Sequence, residues 1–440
     1  MDLFDWKKYI EVYEDLKLSN INSRELAFEH WVNYGQKEGR KFFALDTLYT
    51  DSNYNDFDWK KYIDQHEDLK NANLRSRSDA LAHWINYGKY EKRIYFKKDP
   101  AKKINLIGIV DIKCSISDNL NMIKNYFTTL YDSVNVINYT SVDNLIVDES
   151  EDYLICLQPF EIIKIISFLK NFNNRPAVFW VWEFKYLPKI FYDQQHLFSK
   201  IYVPSNFCKE IFTSSLNLNV EKIVLKLKIL DVKDTISNHV ISDAYVNSIL
   251  EINKNKIKLG YCFDINSSLI RKNVFNLVKA FNNFCKNNDN NDVILILKYR
   301  LPRSGIFDSR HEKLLYNKIM GYIDNNYIYG INVELSDMDL YRLYTYFDYY
   351  ISPHMGEGYG LTIEENLVLG NKIISTYYSG EKDFLTETNF YKLDHEEIQV
   401  NDLKTHVIYR LLPNYTAAYV SDLSILNTLN KIFDKKSKTV

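Results

Sequence analysis

Ser352-Pro353-His354-Met355-Gly356-Glu357-Gly358-Tyr359-Gly360-Leu361-Thr362-Ile363-Glu364-Glu365-Asn366-Leu367-Val368-Leu369-Gly370 decides how this chain is read. An apolar, aromatic run ending Tyr349-Tyr350-Ile351 leads into it, three glycines (Gly356, Gly358, Gly360) interrupt it, and a helical pattern follows from Thr362 to Leu369. That order is strand, glycine loop, helix. Glycine lets a backbone take positive φ and come close to a ligand, and the first turn of a helix offers N–H donors and a partial positive charge. Such a turn suits a phosphate. Glu357 and Glu365 bracket the loop with seven residues between them. Carboxylates placed there can accept hydrogen bonds from hydroxyls while the helix start takes a diphosphate, so the pattern predicts a nucleotide-sugar site.

Working outward, 440 residues exceed the usual size of one core, and two or three domains are expected. Lys+Arg 55 against Asp+Glu 57 leaves a formal net charge of -2, which excludes nucleic acid as the main partner. No apolar run nears the ~20 residues of a membrane span, and the start, MDLFDWKKYIEVYEDL, lacks the look of a signal peptide. A cytoplasmic protein follows as the expectation, host cytoplasm for a viral chain, with peripheral membrane association left open. The five cysteines (Cys114, Cys156, Cys208, Cys262, Cys285) are widely spaced without a C-x-x-C pair, and read as buried thiols.

The chain opens on a repeat. Phe4-Asp5-Trp6-Lys7-Lys8-Tyr9-Ile10 recurs as 57–63, 53 residues on, and the same shift carries His30-Trp31 to His83-Trp84 and Asn33-Tyr34-Gly35 to Asn86-Tyr87-Gly88. Residues 1–100 are therefore expected to form a two-copy helical repeat domain, with copies at about 4–43 and 57–96. A first helix should run from Asp5 or Asp58 to the Asp-Leu pair. A second should carry an aromatic face (Ala27, Trp31, Tyr34; Ala80, Trp84, Tyr87) and end at a capping Gly35 or Gly88. Those aromatics read as a small core, the alternative being an exposed platform for sugar rings or a partner protein.

Beyond the linker 97–103, strands at 104–110, 153–157, 177–182 and 201–204 alternate with helices at 119–130 and 160–171, which predicts a parallel sheet with helices on both faces. Ligands of such sheets bind beyond the carboxyl ends of the strands, so Glu183 should face a cleft. Ser205 reads as a helix N-cap, and 231–256 as a hinge. A second sheet follows with strands at 258–263, 293–297, 326–333 and 372–376. Arg271 and Lys272 stand at the head of a helix, where the dipole disfavours cations unless an anion lies between them. Lys298 reads as a solvated strand end, the alternative being that it supplies a basic residue at the donor site, where Phe263-Asp264 follow the first strand. Asp337-Met338-Asp339 has a D-x-D spelling but belongs to a helix start, where Ser and Asp cap, and no metal is expected. A last helix is expected over 417–433.

Three stretches carry a resemblance. Glu357-Gly358-Tyr359-Gly360-Leu361-Thr362-Ile363-Glu364-Glu365 resembles the E-G-F-G-L-T-x-x-E signature of retaining GT-B glycosyltransferases of family 4. Phe263-Asp264-Ile265-Asn266-Ser267-Ser268-Leu269-Ile270-Arg271-Lys272-Asn273 is similar to a segment of its bacterial members, and Trp180-Val181-Trp182-Glu183 with Val203-Pro204-Ser205 to two more. The resemblance covers residues 104–390 and implies an α/β fold of two Rossmann-like domains facing a cleft. In that reading 101–255 is the acceptor domain with its hinge, 256–412 the nucleotide-sugar donor domain, and 413–440 a helix crossing back to the first domain.

The resemblance further implies a metal-independent hexosyltransferase, cofactor-free, using a GDP- or UDP-sugar, with mannose named as the hexose only because relatives frequently use GDP-mannose, and a glycan or glycoprotein acceptor. Glu357 would touch the donor hexose and Glu183 the acceptor. Lys272, with Arg271, would hold the diphosphate, and Glu365 the ribose. Gly358, Tyr359, Gly360, Leu361, Thr362, His354, Ser379 and Gly380 complete the expected donor site. Two of these have other readings: Thr362-x-x-Glu365 spells a capping box, and His354 fits a satisfied core histidine. A glycoside hydrolase also needs two carboxylates but has no use for a phosphate cradle with basic residues. A non-catalytic glycan-binding or scaffold protein derived from such an enzyme is the alternative that the repeats suggest, and oligomeric state is not legible.

Overall fold

The computed structural model describes residues 4–40, 54, 56–72, 74, 76–89, 91–96, 102–110, 115–287, 292–301, 310–323, 326–399 and 416–433. It divides into two compact units, Met1–Lys102 and Lys103–Val440.

In the first unit the same series of short helices occurs twice: Trp6–Val12, Glu14–Leu18, Arg24–His30 and a π-helical turn Trp31–Gly35, then Trp59–Asp64, Glu67–Asn71, Arg77–His83 and Trp84–Gly88. Asp5 and Asp58 cap the first helix of each series by accepting from the Lys8 and Lys61 amides. The expected single first helix is broken at Tyr13, which is extended, and again at His66. Gly35 and Gly88 are not left-handed caps. They lie inside the π turn, where a tyrosine hydroxyl leaves no room for a side chain: a Cβ would be 2.3 Å from Tyr9 Oη and 2.2 Å from Tyr62 Oη. The left-handed residues come four positions later, at Gly39 (φ 68°) and Lys92 (φ 56°). Of the expected aromatic face, Trp31 is buried, Trp84 and Tyr87 are half-buried, and Tyr34 is exposed.

The second unit holds two six-stranded parallel sheets. Strands β1 (Lys103–Gly108), β2 (Ser133–Asn138), β3 (Asp152–Cys156), β4 (Ala177–Phe179), β5 (Lys200–Val203) and β6 (Asn219–Lys222) are ordered β2-β1-β3-β4-β5-β6. Strands β7 (Ile257–Asp264), β8 (Val293–Arg300), β9 (Ile328–Ile331), β10 (Tyr349–Ser352), β11 (Lys372–Ser375) and β12 (Phe390–Lys392) are ordered β12-β11-β10-β7-β8-β9. Near-continuous burial along β1, β7 and β8 fits sheets covered on both faces. In the second sheet the order reverses between β7 and β10, so the loops after those two strands, 265–273 and 353–360, converge on one crevice.

The helix expected at 160–171 is interrupted: Pro159–Ile162, a 3-10 turn Ile163–Ile165, and Ile166–Leu169. The hinge region contains a helix of its own, Ala244–Ile252. Asp339 ties this region to the helix Asp337–Tyr344 by accepting from the Ser242 amide (3.0 Å) and hydroxyl (2.8 Å) and facing His239 Nε2 (2.8 Å). The D-x-D spelling therefore serves packing. Both predicted serine caps are present, Ser205 accepting from Cys208 N (3.1 Å) and Ser336 from Asp339 N (3.0 Å).

The stretch 417–433 is not one helix. Strand β14 (Thr416–Tyr419) pairs antiparallel with β13 (Glu396–Gln399), and the helix Asp422–Phe433 starts after it. This helix packs on Val274–Asn287 of the second sheet's layer, through Phe433 on Phe284 and the Lys279–Asp422 ion pair at 2.7 Å. The expected crossing to the first sheet's layer is made instead by the ribbon, with Ala417 buried in that layer's core and Glu397 bound by Lys185 at 2.6 Å.

Candidate functional site

Gly360 makes the turn from β10 into the helix Leu361–Val368. Its φ of 101° is left-handed, and it occupies the N-cap position. Thr362 is thus the second residue inside the helix, its hydroxyl accepting from Tyr350 Oη at 2.8 Å. A Thr362–Glu365 capping box does not form. Glu365 instead lines a cavity of about 380 Å³ at the ends of β7, β8 and β9.

Lys272, Leu361, Thr362, Lys298 and Arg300 line the same cavity. Lys298 corrects its sequence reading: it is only 8% exposed and donates to the Tyr299 carbonyl at 3.1 Å. Met122 and Lys228, from before the hinge, also reach this cavity, which is therefore closed by residues from both sides of the cleft.

Next to the cavity lies a second, drier group. Arg271, with a side chain 4% exposed, donates from Nη1 to the Gly356 carbonyl (2.8 Å) and lies 3.1 Å from Glu357 Oε1. Its Nε donates to the Ser267 carbonyl (3.2 Å), and its Nη2 is 3.8 Å from Glu183 Oε1. Lys272 also binds Glu357 Oε1. Lys272 is thus shared, lining the cavity and closing the charge cluster. Burial pushes Glu357 up, but Lys272, Arg271 and His354 outweigh it and hold the carboxyl at about 2. Glu183 behaves oppositely: burial raises it above the ordinary carboxylate range against the pull of Arg271, and the Glu357 charge adds to the rise. Two neighbouring carboxyls with pKa values pushed apart can divide the work, one staying ionised and one exchanging protons.

A pH dependence follows. A carboxyl lowered on folding stabilises the folded state fully above its unfolded value, and that contribution is lost as pH falls through its folded value. Thermal melts of the wild type are therefore expected to lose stability between the ordinary Glu value, 4.5, and about 2, and Glu357→Gln should remove part of this acid-limb slope. Identical slopes in both proteins would refute the assignment.

The remaining expected residues support the loop. His354 is fully buried, outside the cavity lining, with Nδ1 3.0 Å from Ser352 Oγ and Nε2 3.1 Å from Glu381 Oε2. The Ser379 hydroxyl accepts from the Glu357 amide (2.8 Å), and the Gly380 amide donates to the Glu357 carbonyl (2.9 Å). The Gly358 carbonyl accepts from Ser205 Oγ across the cleft at 2.6 Å. Tyr359 packs its ring on Phe384, centroids 5.5 Å apart, beside the cavity rather than in it. Glu381 and Asp383 were not anticipated. The expected donor turn stops at Ser379-Gly380, and nothing local signals that the Glu381 after it is fully buried. No group of His, Cys, Asp and Glu suited to a metal occurs among the described residues.

Two parallel Rossmann-like sheets whose carboxyl ends meet across a cleft define the GT-B fold, and this chain has it. No protein-family model and no curated protein sequence matches it. Among solved structures it is similar to one described as trehalose-6-phosphate from E. coli bound with UDP-2-fluoro glucose, at 10% identity and a TM-score of 0.50, over 77% of this chain and 96% of that one. It is also similar to an α,α-trehalose-phosphate synthase (UDP-forming) from Burkholderia vietnamiensis, with 7% identity, a TM-score of 0.49 and coverage of 75% and 92%. At such identities the likeness is one of fold.

Proposed function

We propose that the protein is a retaining, metal-independent glycosyltransferase that moves a hexose from a nucleotide diphosphate sugar to a hydroxyl of a glycan or related acceptor. The observation that carries this is the position of Lys272, which lines the large cavity and pairs with Glu357 beside it. A ligand with a nucleoside at one end, a sugar at the other and a diphosphate between them fits that arrangement. Glu365 would take the ribose, Lys272 and the helix start at Leu361 and Thr362 the diphosphate, and Glu357 the hexose hydroxyls. Glu183, with its raised pKa, would face the acceptor. Residues 256–412 then serve as donor domain and 101–255 as acceptor domain, while 1–100 is an accessory unit. The leaving diphosphate gains charge, and a positioned cation or amide there is worth ~3 kcal/mol of barrier. The UDP-sugar analogue named for the structural neighbour supports a nucleotide sugar as donor. Buried thiols at Cys156, Cys208 and Cys285 fit a reducing compartment such as the cytoplasm, and no helix among the described residues is long and apolar enough to cross a membrane.

Thermal shift with UDP, GDP, dTDP and ADP and their glucose and mannose conjugates, with and without Mg2+, tests the reading. A ligand at 100-fold its Kd adds ~2.7 kcal/mol. The expected result is a metal-independent shift with one base. Lys272→Met should weaken the diphosphate about tenfold or more with a reduced salt dependence, and Glu365→Gln should weaken diphosphate and nucleoside alike. No shift with any nucleotide would overturn the proposal.

A further inference from the structure

We propose that Glu381 is a positioning residue: it orients the Ser379 hydroxyl that holds the Glu357 amide, and so aims the Glu357 carboxylate at the transferred sugar. This rests on the reading of Glu357 as the contact to the donor hexose.

Glu381, His354 and Ser379 are all 0% exposed. A carboxylate in so dry a place is costly unless its oxygens are satisfied, and here every contact comes from a donor. Oε1 accepts from the Ser379 amide at 2.8 Å and from the Tyr378 amide, while Oε2 accepts from Ser379 Oγ at 2.7 Å and faces His354 Nε2 at 3.1 Å. An ionised carboxylate can only accept, which fixes the polarity of the chain. The single hydroxyl hydrogen of Ser379 goes to Glu381, leaving its lone pairs for the Glu357 N–H, 2.8 Å away. His354 stands beside this chain, its Nε2 3.1 Å from Oε2 but making no hydrogen bond, and its Nδ1 3.0 Å from Ser352 Oγ. On the same residue as that amide, the Glu357 side chain meets Arg271 and Lys272. The order of bonds therefore runs from a buried carboxylate, through one hydroxyl, to the main chain of the residue that would grip the sugar. Gly380 adds a parallel strut, its amide on the Glu357 carbonyl at 2.9 Å.

Glutamine at 381 would present an NH2 to the serine or the histidine, compete for the Ser379 lone pairs and release the aim of Glu357. Ser379→Ala deletes the same link while leaving the Glu381–His354 pair in place, and so keeps the test alive if Glu381→Gln folds poorly. Calorimetry on the full chain would compare the nucleoside diphosphate that gives the largest thermal shift, UDP or GDP, with its hexose conjugate. The diphosphate affinity is expected to stay within about threefold of wild type in both variants, whereas affinity for the conjugate falls about tenfold. The double variant should be no worse than the weaker single one, since both remove one path. Equal losses for both ligands, or a Ser379→Ala protein that binds the conjugate like wild type, would overturn the positioning role. A wild type that binds neither ligand would overturn the proposed function as well, which separates the two failures.

Discussion

Arg271→Met is expected to lower the stability of the Lys103–Val440 unit by about 3–5 kcal/mol, the range for removing one partner from a buried ion cluster, and to abolish turnover of the nucleotide sugar. Methionine keeps much of the apolar stem, so the loss isolates the guanidinium. What it leaves behind decides the size of the effect. The Gly356 and Ser267 carbonyls lose a donor, and Glu357 and Glu183 are left to share a dry corner with Lys272 alone. Glu183 already sits above the ordinary carboxylate range, and without Arg271 it should rise further. In a unit spanning Lys103–Val440, with about 2.1 cal/mol/K of unfolding entropy per residue, 1 kcal/mol moves the melting temperature by about 1.4 °C, so calorimetry should record a fall on the order of 5 °C. A fall below about 2 °C would mean that water solvates the cluster and that the burial argument is wrong.

Gly356→Ala is expected to cut kcat/KM by about a hundredfold while sparing nucleotide affinity, because misplacement by 1 Å at a reacting centre costs that much. A Cβ on Gly356 would lie 2.3 Å from the Glu183 carbonyl oxygen, which is backbone and cannot rotate aside. The loop and the segment after β4 must then separate, carrying Glu357 away from Glu183. Most of the cavity that would hold the nucleoside, including Glu365, is built from the ends of β7, β8 and β9 and the helix start, away from the Gly356–Glu183 contact. Nucleotide binding measured beside donor turnover checks both halves of the claim. Unchanged turnover would show that the contact between the two segments is not needed for reaction.

Where chain-local chemistry dictates structure, the sequence was readable. The apolar run into β10, the three glycines and the helix after them gave the cradle, and Ser205 and Ser336 announced helix starts because a cap is a contact three residues long. Misreadings occurred where the deciding contact comes from far along the chain. Thr362-x-x-Glu365 left a capping box open as the alternative to a ribose contact, and that could be decided only in the fold, where Gly360 takes the cap position and Tyr350 binds the threonine hydroxyl. Lys298 looked solvated until neighbouring strands and the helix Asp337–Tyr344 walled its end of β8. Residues 416–419 continue an apolar pattern that also fits a helix, and only pairing with β13 makes them a strand. Of the expected site, Arg271, Lys272, Glu183 and Glu357 come together within ion-pairing range, whereas His354 is turned inward to Glu381, whose burial no local pattern betrays.

The seam beside Gly358 has a mechanical meaning. Ser205 reaches the Gly358 carbonyl, and Asp383 takes both the Asn206 amide, at 3.1 and 3.2 Å, and Lys222 Nζ, at 2.9 Å. Asp383 thereby occupies the start of the helix Asn206–Ser215 as an anion would, as a plug in a socket. Each of these contacts is polar and can be handed to water as it parts, but the Phe207 and Tyr378 rings approach beside them, centroids 6.3 Å apart, so parting the seam would also uncover aromatic surface. Such a seam is a fastener that holds register more than strength: its directional bonds fix how the two loops face each other, and only a modest aromatic contact seals them.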